Sequence, residues 1–321
     1  ELLKRGADPN ASYENEYGRM STLYGAAGIV HDPELTLVLL EAGADPDDGE
    51  SLYHSTEAPS PECLRLLLAH GARTQGTNAL AHALDDERLE QVRLLLEAGA
   101  DVRDAAYIAH AVRRGRGPEE VRLLAEFGAD VERPGGETWR GHVPQRSPYR
   151  HAVLRNRRDL VDELARLGAS TEVPPEDLAV AAVARGEAAT LPAELDPDAQ
   201  EVLILAALGG KLDAVVAAVG PEFRGVVGGS PSGTLLHHAA WVGAEEPVRE
   251  LLARGADPAA ESDAPFSTPL AWAALGSAAH RLPRRDYVGV AEALVEAGAE
   301  LEPRFLEVAH GPLEAWLEER L

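Results

Sequence analysis

The feature that most constrains this chain is a short motif that recurs eight times along its 321 residues. Each copy is an apolar stretch of helical spacing followed by Gly-Ala or a close variant, and glycine just past such a stretch is the usual left-handed helix stop. Self-similarity in a constant order predicts a repeat array, in which each unit packs mainly against its neighbours. The stop glycines are Gly6, Gly43, Gly71, Gly99, Gly128, Gly168, Gly255 and Gly298.

A second motif lies about 20 residues before most of these stops. It is STLYGAA from Ser21, SPYRHAV from Ser147, TLLHHAA from Thr234 and TPLAWAA from Thr268. Serine or threonine can cap a helix N-terminus, proline suits the first turn, and small alanines let another helix approach. Together the two motifs resemble the ankyrin repeat, whose consensus contains TPLHxAA and, later, LLxxGADxN.

The resemblance covers nearly the whole chain and implies an all-α solenoid of paired antiparallel helices. Loops or short hairpins would project to one side, and a concave face would bind other proteins. We expect about ten units, counting degenerate ones, after a fragment of another at ELLKRGADPN. The division we predict is residues 1–172 as an N-terminal lobe with a truncated first unit, 173–232 as degenerate repeats with a hinge, and 233–321 as repeats with a C-terminal cap.

The intervals between stop glycines predict where the loops are long. Three consecutive intervals from Gly43 to Gly128 span 28, 28 and 29 residues, shorter than the ankyrin period of about 33. These units are too short for a full projecting hairpin, whereas the intervals of 37, 40 and 43 residues elsewhere carry insertions. In the degenerate stretch, EDLAVAAVARGEAATLPAEL and AQEVLILAALGGKLDAVVAAVG each predict a helix pair, and GVVGGSPSG from Gly225 predicts a projecting finger.

Charge and cysteine content limit the classes of partner. The chain has 30 basic and 54 acidic residues, a formal net charge of −24, which disfavours nucleic acid and anionic membranes. A single cysteine, Cys63, permits no intramolecular disulfide, and we find no run of about 18 apolar residues for a membrane span. We therefore predict a cytoplasmic monomer, and the abundance of Ala, Arg, Gly and Leu indicates a bacterial source.

The sequence lacks the common motifs of metal-binding, phosphate-binding and catalytic sites. Histidine and cysteine do not take zinc-binding spacings, GVVGGSPSG lacks the Gly-Lys-Ser/Thr ending of a phosphate loop, and there is no G-x-S-x-G elbow. Cys63 lies among helix residues in ECLRLLL, which predicts a buried structural thiol. We therefore predict a protein that is not an enzyme, with no catalytic residue, metal or cofactor.

Histidine recurs at the variable x position of TPLHxAA. By the resemblance, this position lies on the first helix of each unit near the concave face, and His237 falls on the family's own histidine, which braces the loop. Two interpretations stay open for the row. The rings pack against neighbours and satisfy loop carbonyls, or they form a partner-binding surface that becomes cationic as the pH falls through about 6.5. The row consists of His54, His82, His110, His151 and His238, followed by Trp272.

Arginine is concentrated in the centre of the chain. Residues 113–158 contain 11 arginines and six acids, a net charge of +5 in an acidic protein. The arginines could simply oppose helix dipoles, but the insertion between the two clusters adds Trp139 beside Arg140, and Trp with Arg is typical of binding hot spots. We predict docking of an acidic or phosphorylated protein segment here. The clustered arginines are Arg113, Arg114 and Arg116 after His110, and Arg155, Arg157 and Arg158 after His151.

The sequence therefore predicts a non-catalytic protein-protein interaction scaffold that holds its partner on the concave face and the long fingers. Three alternatives stay open, of which one is an unorthodox enzyme that would need clustered carboxylates around a deep pocket. The other two concern binding. The chain could be the targeting or regulatory arm of a larger, enzymatic protein, or an acidic inhibitor that imitates nucleic acid.

Overall fold

A computed structural model describes residues 1–15, 18–103, 105–135, 146–279 and 285–321. Trp139 and Arg140, two of the predicted partner-binding residues, lie outside these described residues.

The described residues form helices throughout, with two short hairpins. The α-helices are α1 Thr22–Tyr24, α2 Pro33–Glu41, α3 Ser51–His54, α4 Glu62–Ala69, α5 Ala79–Asp85, α6 Leu89–Glu97, α7 Tyr107–Arg113, α8 Pro118–Glu126, α9 Pro148–Leu154, α10 Arg158–Arg166, α11 Pro175–Arg185, α12 Pro197–Ala206, α13 Leu212–Val219, α14 Leu235–Trp241, α15 Glu245–Ala253, α16 Pro269–Ala279, α17 Tyr287–Glu296 and α18 Pro312–Glu318. The strands are β1 Ser12–Asn15, β2 Gly18–Ser21, β3 Arg224–Gly225 and β4 Gly233–Thr234. Short 3-10 helices at Leu3–Arg5 and Pro303–Glu307 and π-helical turns at Gly25–Val30 and Ala207–Lys211 complete the elements.

The helices pack in pairs, and the pairs stack. Within a repeat, α5 packs on α6, α7 on α8, and α14 on α15. Between repeats, first helices contact first helices, as in α14 against α16, and second helices contact second helices, as in α15 against α17. Small residues such as Ala109, Ala239 and Ala273 are fully buried in the first helices, where they allow this close stacking. The predicted all-α repeat solenoid is confirmed.

Every stop glycine predicted from the motif has a left-handed backbone. Their φ angles lie between 88° and 105°, a region that residues with a Cβ rarely adopt. At Gly255 the chain closes the helix with hydrogen bonds from Gly255 N to Leu252 O and from Ala256 N to Leu251 O, each 3.0 Å. The recurrent Gly-Ala therefore ends each second helix, as predicted.

Hairpins occur where the sequence predicted long loops. Strands β1 and β2 pair antiparallel with Ser12 opposite Ser21, and β3 and β4 pair with Arg224 opposite Thr234. In the described residues between Gly43 and Gly128 there is no strand, so the clipped fingers predicted from the 28- and 29-residue intervals are confirmed.

The chain divides into two compact units. The N-terminal unit contains Glu1–Gly135, the first part of α9 through Ala152, and Arg158–Thr171. The C-terminal unit contains Val153–Arg157 and Glu172–Leu321. Leu64, Leu95 and Leu124 are fully buried in the first core, and Leu203 and Phe305 in the second. The division into three segments with a hinge stays a prediction.

The degenerate stretch corrects one prediction. EDLAVAAVARGEAATLPAEL forms the single helix α11 rather than a pair, because Gly186 ends it at φ 94° and the residues from there to Leu195 form no helix. Pro192 lies in this non-helical stretch, where it lacks the N–H that a second helix would need. The following sequence does form a pair, α12 and α13.

This pair also contradicts the expectation that no apolar run could span a membrane. Pro197–Val219 is long and apolar enough to do so by length and composition. However, Gly209 and Gly210 leave helical geometry in the middle, with φ 92° at Gly210, and α12 packs on α13. In this structure the apolar run is therefore a helix pair of the stack, and the absence of a membrane partner stays a prediction.

Candidate partner-binding surfaces

In the N-terminal unit, the predicted histidine row begins with a cluster of partly exposed rings. The ring centroid of Tyr24 lies 5.1 Å from that of His54, and Tyr53 stacks on His82 at 4.2 Å. His54 and His82 are themselves 6.5 Å apart, edge to face. All four rings lie on the first helices α1, α3 and α5. The stacking of repeats therefore joins the same position of successive units into one continuous ring row.

Each histidine of these repeats has a carboxylate nearby. Nδ1 of His54 lies 2.6 Å from Glu57 Oε1, and Nε2 of His82 lies 3.8 Å from the same carboxylate. Nε2 of His110 lies 2.7 Å from Asp85 Oδ1. The side chains of the three histidines are 19–26% exposed. The row therefore presents histidine-carboxylate pairs, and its partner-binding role stays a prediction.

The two histidines of repeats with longer loops have a different environment. His151 and His238 are buried, at 0% and 4% exposure. Nε2 of His151 donates to the carbonyl of Gly135, and Nε2 of His238 donates to the carbonyl of Gly225 at 3.0 Å. For these two residues the structure supports the first interpretation, in which a buried ring satisfies a loop carbonyl.

Both accepting glycines lie at the base of a finger and against the preceding repeat. A Cβ added to Gly135 would lie 2.8 Å from Ala109 Cβ on α7, and one added to Gly225 would lie 2.8 Å from Gln200 Cβ on α12. Only glycine can approach so closely. We call this arrangement the glycine-histidine clasp: a glycine that rests on one first helix while its carbonyl accepts from the histidine of the next.

His237 has the structural role that the resemblance implied. Its Nδ1 accepts from the backbone N of Thr234 at 3.1 Å, so Nε2 carries the proton that it donates to the carbonyl of Ser267 at 2.7 Å. Burial lowers the pKa of His237 to about 4, and it also lowers the pKa of neighbouring His238. Both rings are therefore neutral at physiological pH.

Trp272 continues the row in the C-terminal unit but is 4% exposed. Its ring lies edge-on to those of His237 and His238 at 5.2 Å each, and its Nε1 donates to Ser262 Oγ at 3.2 Å. Trp241, which we did not predict as a site residue, lies 6.1 Å from Trp272. The sequence signal for Trp241 was its place directly after the alanine pair of TLLHHAA, at the end of a first helix.

Four of the predicted arginines, Arg114, Arg116, Arg155 and Arg157, lie in the turns between first and second helices, whereas Arg113 ends α7 and Arg158 begins α10. Arg114 Nε is 2.8 Å from Asp85 Oδ1, and Arg116, only 8% exposed, lies 2.7 Å from Glu87 Oε1. Arg155 is 2.5 Å from Glu201 Oε2, with both side chains largely buried. Carboxylates of the chain thus already hold these three guanidinium groups.

The remaining arginines differ in exposure. Arg113 and Arg157 are partly buried and have partners within the protein, whereas Arg158 is exposed at the start of α10. Arg155 and Arg157 belong to the C-terminal unit and the others to the N-terminal unit. Binding of an acidic or phosphorylated segment at these arginines stays a prediction.

Cys63 is 2% exposed, with its Sγ 3.6 Å from Thr36 Oγ1, and burial raises the pKa of its thiol. The prediction of a buried structural cysteine is confirmed. In the parts of the chain that the structure describes, no three His, Cys, Asp or Glu side chains are grouped so as to hold a metal ion.

A family model of ankyrin repeats in three copies matches residues 23–106, and a single ankyrin-repeat model matches residues 233–263. The search of curated protein sequences gave no match.

Solved structures with a similar chain path include three ankyrin-repeat domains. That of Bcl-3 is 29% identical, with 53% of this chain and 78% of that chain covered and a TM-score of 0.41. One from Acinetobacter baumannii AYE is 24% identical, with 53% and 90% covered and a TM-score of 0.44. The domain of human ASB11 is 19% identical, with 87% and 99% covered and a TM-score of 0.39.

The matched segments carry both motifs, and the same helix pairs and left-handed stop glycines continue between and beyond them. This chain contains ankyrin repeats, in residues 23–106 and 233–263.

Proposed function

We propose that this chain is a non-catalytic scaffold that recognises another protein. Ankyrin repeats are generally protein-protein interaction modules. The observation that carries the proposal here is the ring row formed by Tyr24, Tyr53, His54 and His82, of which the last three lie in the clipped repeats. Aromatic side chains are enriched at the centres of protein interfaces because they offer large, rigid contact areas at low entropic cost.

The clipped loops are what make this row available. The intervals of 28 and 29 residues leave no hairpin over α3, α5 and α7 among the described residues, so the rings on these helices keep part of their surface in solvent. His110 extends the row through its pair with Asp85. The row can therefore stack on apolar groups of a partner and also exchange hydrogen bonds with its polar groups.

The acidic or phosphorylated partner segment is a finer part of the same proposal. Support for it comes from Arg158, which is exposed, and from Arg114, whose side chain is 50% exposed although it pairs with Asp85. A phosphate group could compete with one carboxylate for a guanidinium, because its oxygens also accept in a bidentate way.

Affinity capture from the source organism's lysate, with quantitative mass spectrometry, tests the proposal. The bait is the intact chain, and the test variant replaces His54, His82 and His110 with alanine. A matched control replaces His70 and His310, two exposed histidines outside the row. Circular dichroism confirms that each bait is folded.

We expect a partner that the native chain and the control retain and that the row variant recovers at least about tenfold less, the loss of more than one hot-spot contact. Equal recovery by the row variant would place the interface elsewhere. Absence of any specific partner for the native chain would contradict the scaffold function.

A further inference from the structure

The C-terminal unit contains an open apolar cavity of about 550 Å³ on its first helices. We call it the tryptophan pocket. The finger residues Val227–Pro231 form one side. Its other walls include Leu205, Leu208, Trp241, Val242, Trp272 and Leu275.

The exposure of Leu205 marks this pocket as unusual for the surface of a stacked helix. Leu205 is 50% exposed, whereas Leu203 and Ile204 beside it on α12 are fully buried. The apolar run Pro197–Val219 begins with α12, and the two faces of α12 have different environments. One face packs in the core, and the other lines an open pocket. Contiguous exposed apolar surface of this kind marks binding sites.

A cleft of opposite character adjoins the pocket. It is about 580 Å³ in volume and shares Leu208 with the tryptophan pocket. Five acids line it, Asp213, Glu245, Glu246, Glu250 and Asp286, against the single base Arg285.

Part of this negative charge is already balanced. Arg254 pairs with Asp213 and lies 3.5 Å from Glu250, and Arg249 pairs with Glu245 at 2.7 Å. Glu246 is exposed and has no ion pair among the described residues. Among the described residues, Arg249, Arg254 and Arg285 stand against these five acids, which leaves this part of the cleft with a net negative charge.

We propose that the tryptophan pocket and this cleft together bind a protein segment in which a bulky apolar side chain neighbours a lysine or arginine. The apolar side chain enters between Trp241, Trp272 and Leu205, and the cation lies beside Glu246. Because Leu208 borders both cavities, two neighbouring side chains of one segment reach both. This inference rests on the proposed function for the class of ligand, but it concerns a different unit and a basic partner.

Charge distinguishes this occupant from others. Residues 172–321 contain 25 acidic and 10 basic residues, so a second copy of this face or an anionic lipid surface would be repelled. A basic segment is attracted, and the attraction speeds its association at low salt.

The test uses a displayed library of random twelve-residue peptides, selected against the intact chain. Enriched peptides are then measured by fluorescence anisotropy against four variants. Leu205→Glu places a charge in the pocket, and Leu178→Glu is its control, since Leu178 is 49% exposed on α11 of the same unit. Glu246→Lys reverses the charge of the cleft, and Glu318→Lys makes the same change at the exposed end of α18.

We expect the enriched peptides to share a bulky apolar residue beside Lys or Arg. Leu205→Glu should weaken them at least about tenfold, Glu246→Lys should weaken them most at low salt, and both controls should bind like the native chain. Peptides without the basic residue, or peptides indifferent to Leu205→Glu, would overturn the proposal. So would a dimer in sedimentation that Leu205→Glu dissociates, because the pocket would then hold a second copy.

The same peptides separate this inference from the proposed function. Peptides that ignore Leu205→Glu but are lost when His54, His82 and His110 are replaced would disprove the pocket and leave protein recognition intact. If the library yields no binder at all, the pocket proposal fails, whereas lysate capture still decides the scaffold function.

Discussion

The clipped and the fingered repeats of this protein place a histidine at the same motif position and give it opposite environments. In the clipped repeats, His82 and His110 keep 19% and 26% of their side-chain surface in solvent and approach carboxylates. In the fingered repeats, His151 and His238 are buried and donate to finger carbonyls. The residue type is constant, so the length of the loop before the first helix decides its role.

A repeat array can therefore vary its surface through loop length while its stacked helix pairs stay the same. Where the loop is long, its base crosses the first helix and needs a donor for its carbonyl, and histidine supplies one. Where the loop is short, nothing crosses, and the same ring is left on the surface for a partner. The motif position is therefore structural in one class of repeat and available for binding in the other.

The largest expected effect comes from breaking a clasp. In Gly225→Val the new Cβ would lie 2.8 Å from Gln200 Cβ and 2.9 Å from Ile204 Cδ1, so the finger base must move away from α12. We expect a loss of about 3 kcal/mol in the free energy of unfolding of the C-terminal unit, at the upper end for overpacking. Urea unfolding followed by tryptophan fluorescence measures it, since Trp241, Trp272 and Trp316 lie in this unit.

Gly209→Ala is the control for this variant, because nothing lies within 4 Å of a Cβ there and its φ is −86°. An equal loss of stability in the two variants would show that the close approach of Gly225 is unimportant.

The direct test of the comparison replaces the histidine in one repeat of each class. His151→Ala leaves the buried carbonyl of Gly135 without its ring donor and should cost about 1–3 kcal/mol. His82→Ala removes a partly exposed ring and should cost less than about 1 kcal/mol. Both positions lie in the N-terminal unit, so urea unfolding monitored by circular dichroism compares them directly. Equal costs would mean that the finger does not set the role of the histidine.

The smallest predicted effect is a dependence of the free energy of unfolding on pH, which comes from the buried histidines of a fingered repeat. The pKa of His237 is about 4 in the folded protein and about 6.5 when unfolded, so only the unfolded chain gains a proton between these values. The contribution of the neutral His237 to the free energy of unfolding is therefore complete above pH 6.5 and is lost as the pH falls towards 4. For His237 alone we expect a loss of about 1 kcal/mol from pH 7.5 to pH 5.5, and His238 adds in the same direction.

Tryptophan fluorescence during urea unfolding at the two pH values measures this loss. His237→Asn should reduce the difference between the two pH values, even though the variant is less stable at both. The prediction fails if the native chain and His237→Asn lose the same free energy on acidification.

The sequence predicted the parts of this fold that depend on local residues. Stop glycines such as Gly43 and Gly255 follow from a short motif, because a helix stop depends on neighbours within one repeat. The burial of Cys63 followed from its place in an apolar helical stretch, and the bracing role of His237 was implied by the resemblance to the ankyrin repeat. The clipped loops followed from interval lengths alone. The single helix α11 was missed because an apolar period continues in sequence after Gly186, although the backbone there turns out of the helix.

What could not be predicted depends on contacts between repeats. Whether a histidine is covered depends on how the finger packs against the neighbouring first helix. No short motif in the finger indicates that packing. Trp241 and Trp272 are 31 residues apart and meet only when α14 stacks on α16. Arg155 and Glu201 are 46 residues apart, so the pairing that occupies part of the predicted arginine cluster was invisible to charge counting.

The clasp at Gly225 has a consequence for protein engineering. Because Gly225 is fixed between Gln200 and His238, and Gly233 pairs back to it across the hairpin, both ends of the finger are anchored to the helical frame. The tip between them has exposed glycines at positions 228 and 229. Loop tips of this kind tolerate insertion at a modest entropic cost, so foreign recognition loops could be inserted between Gly228 and Gly229 while the helical frame stays intact.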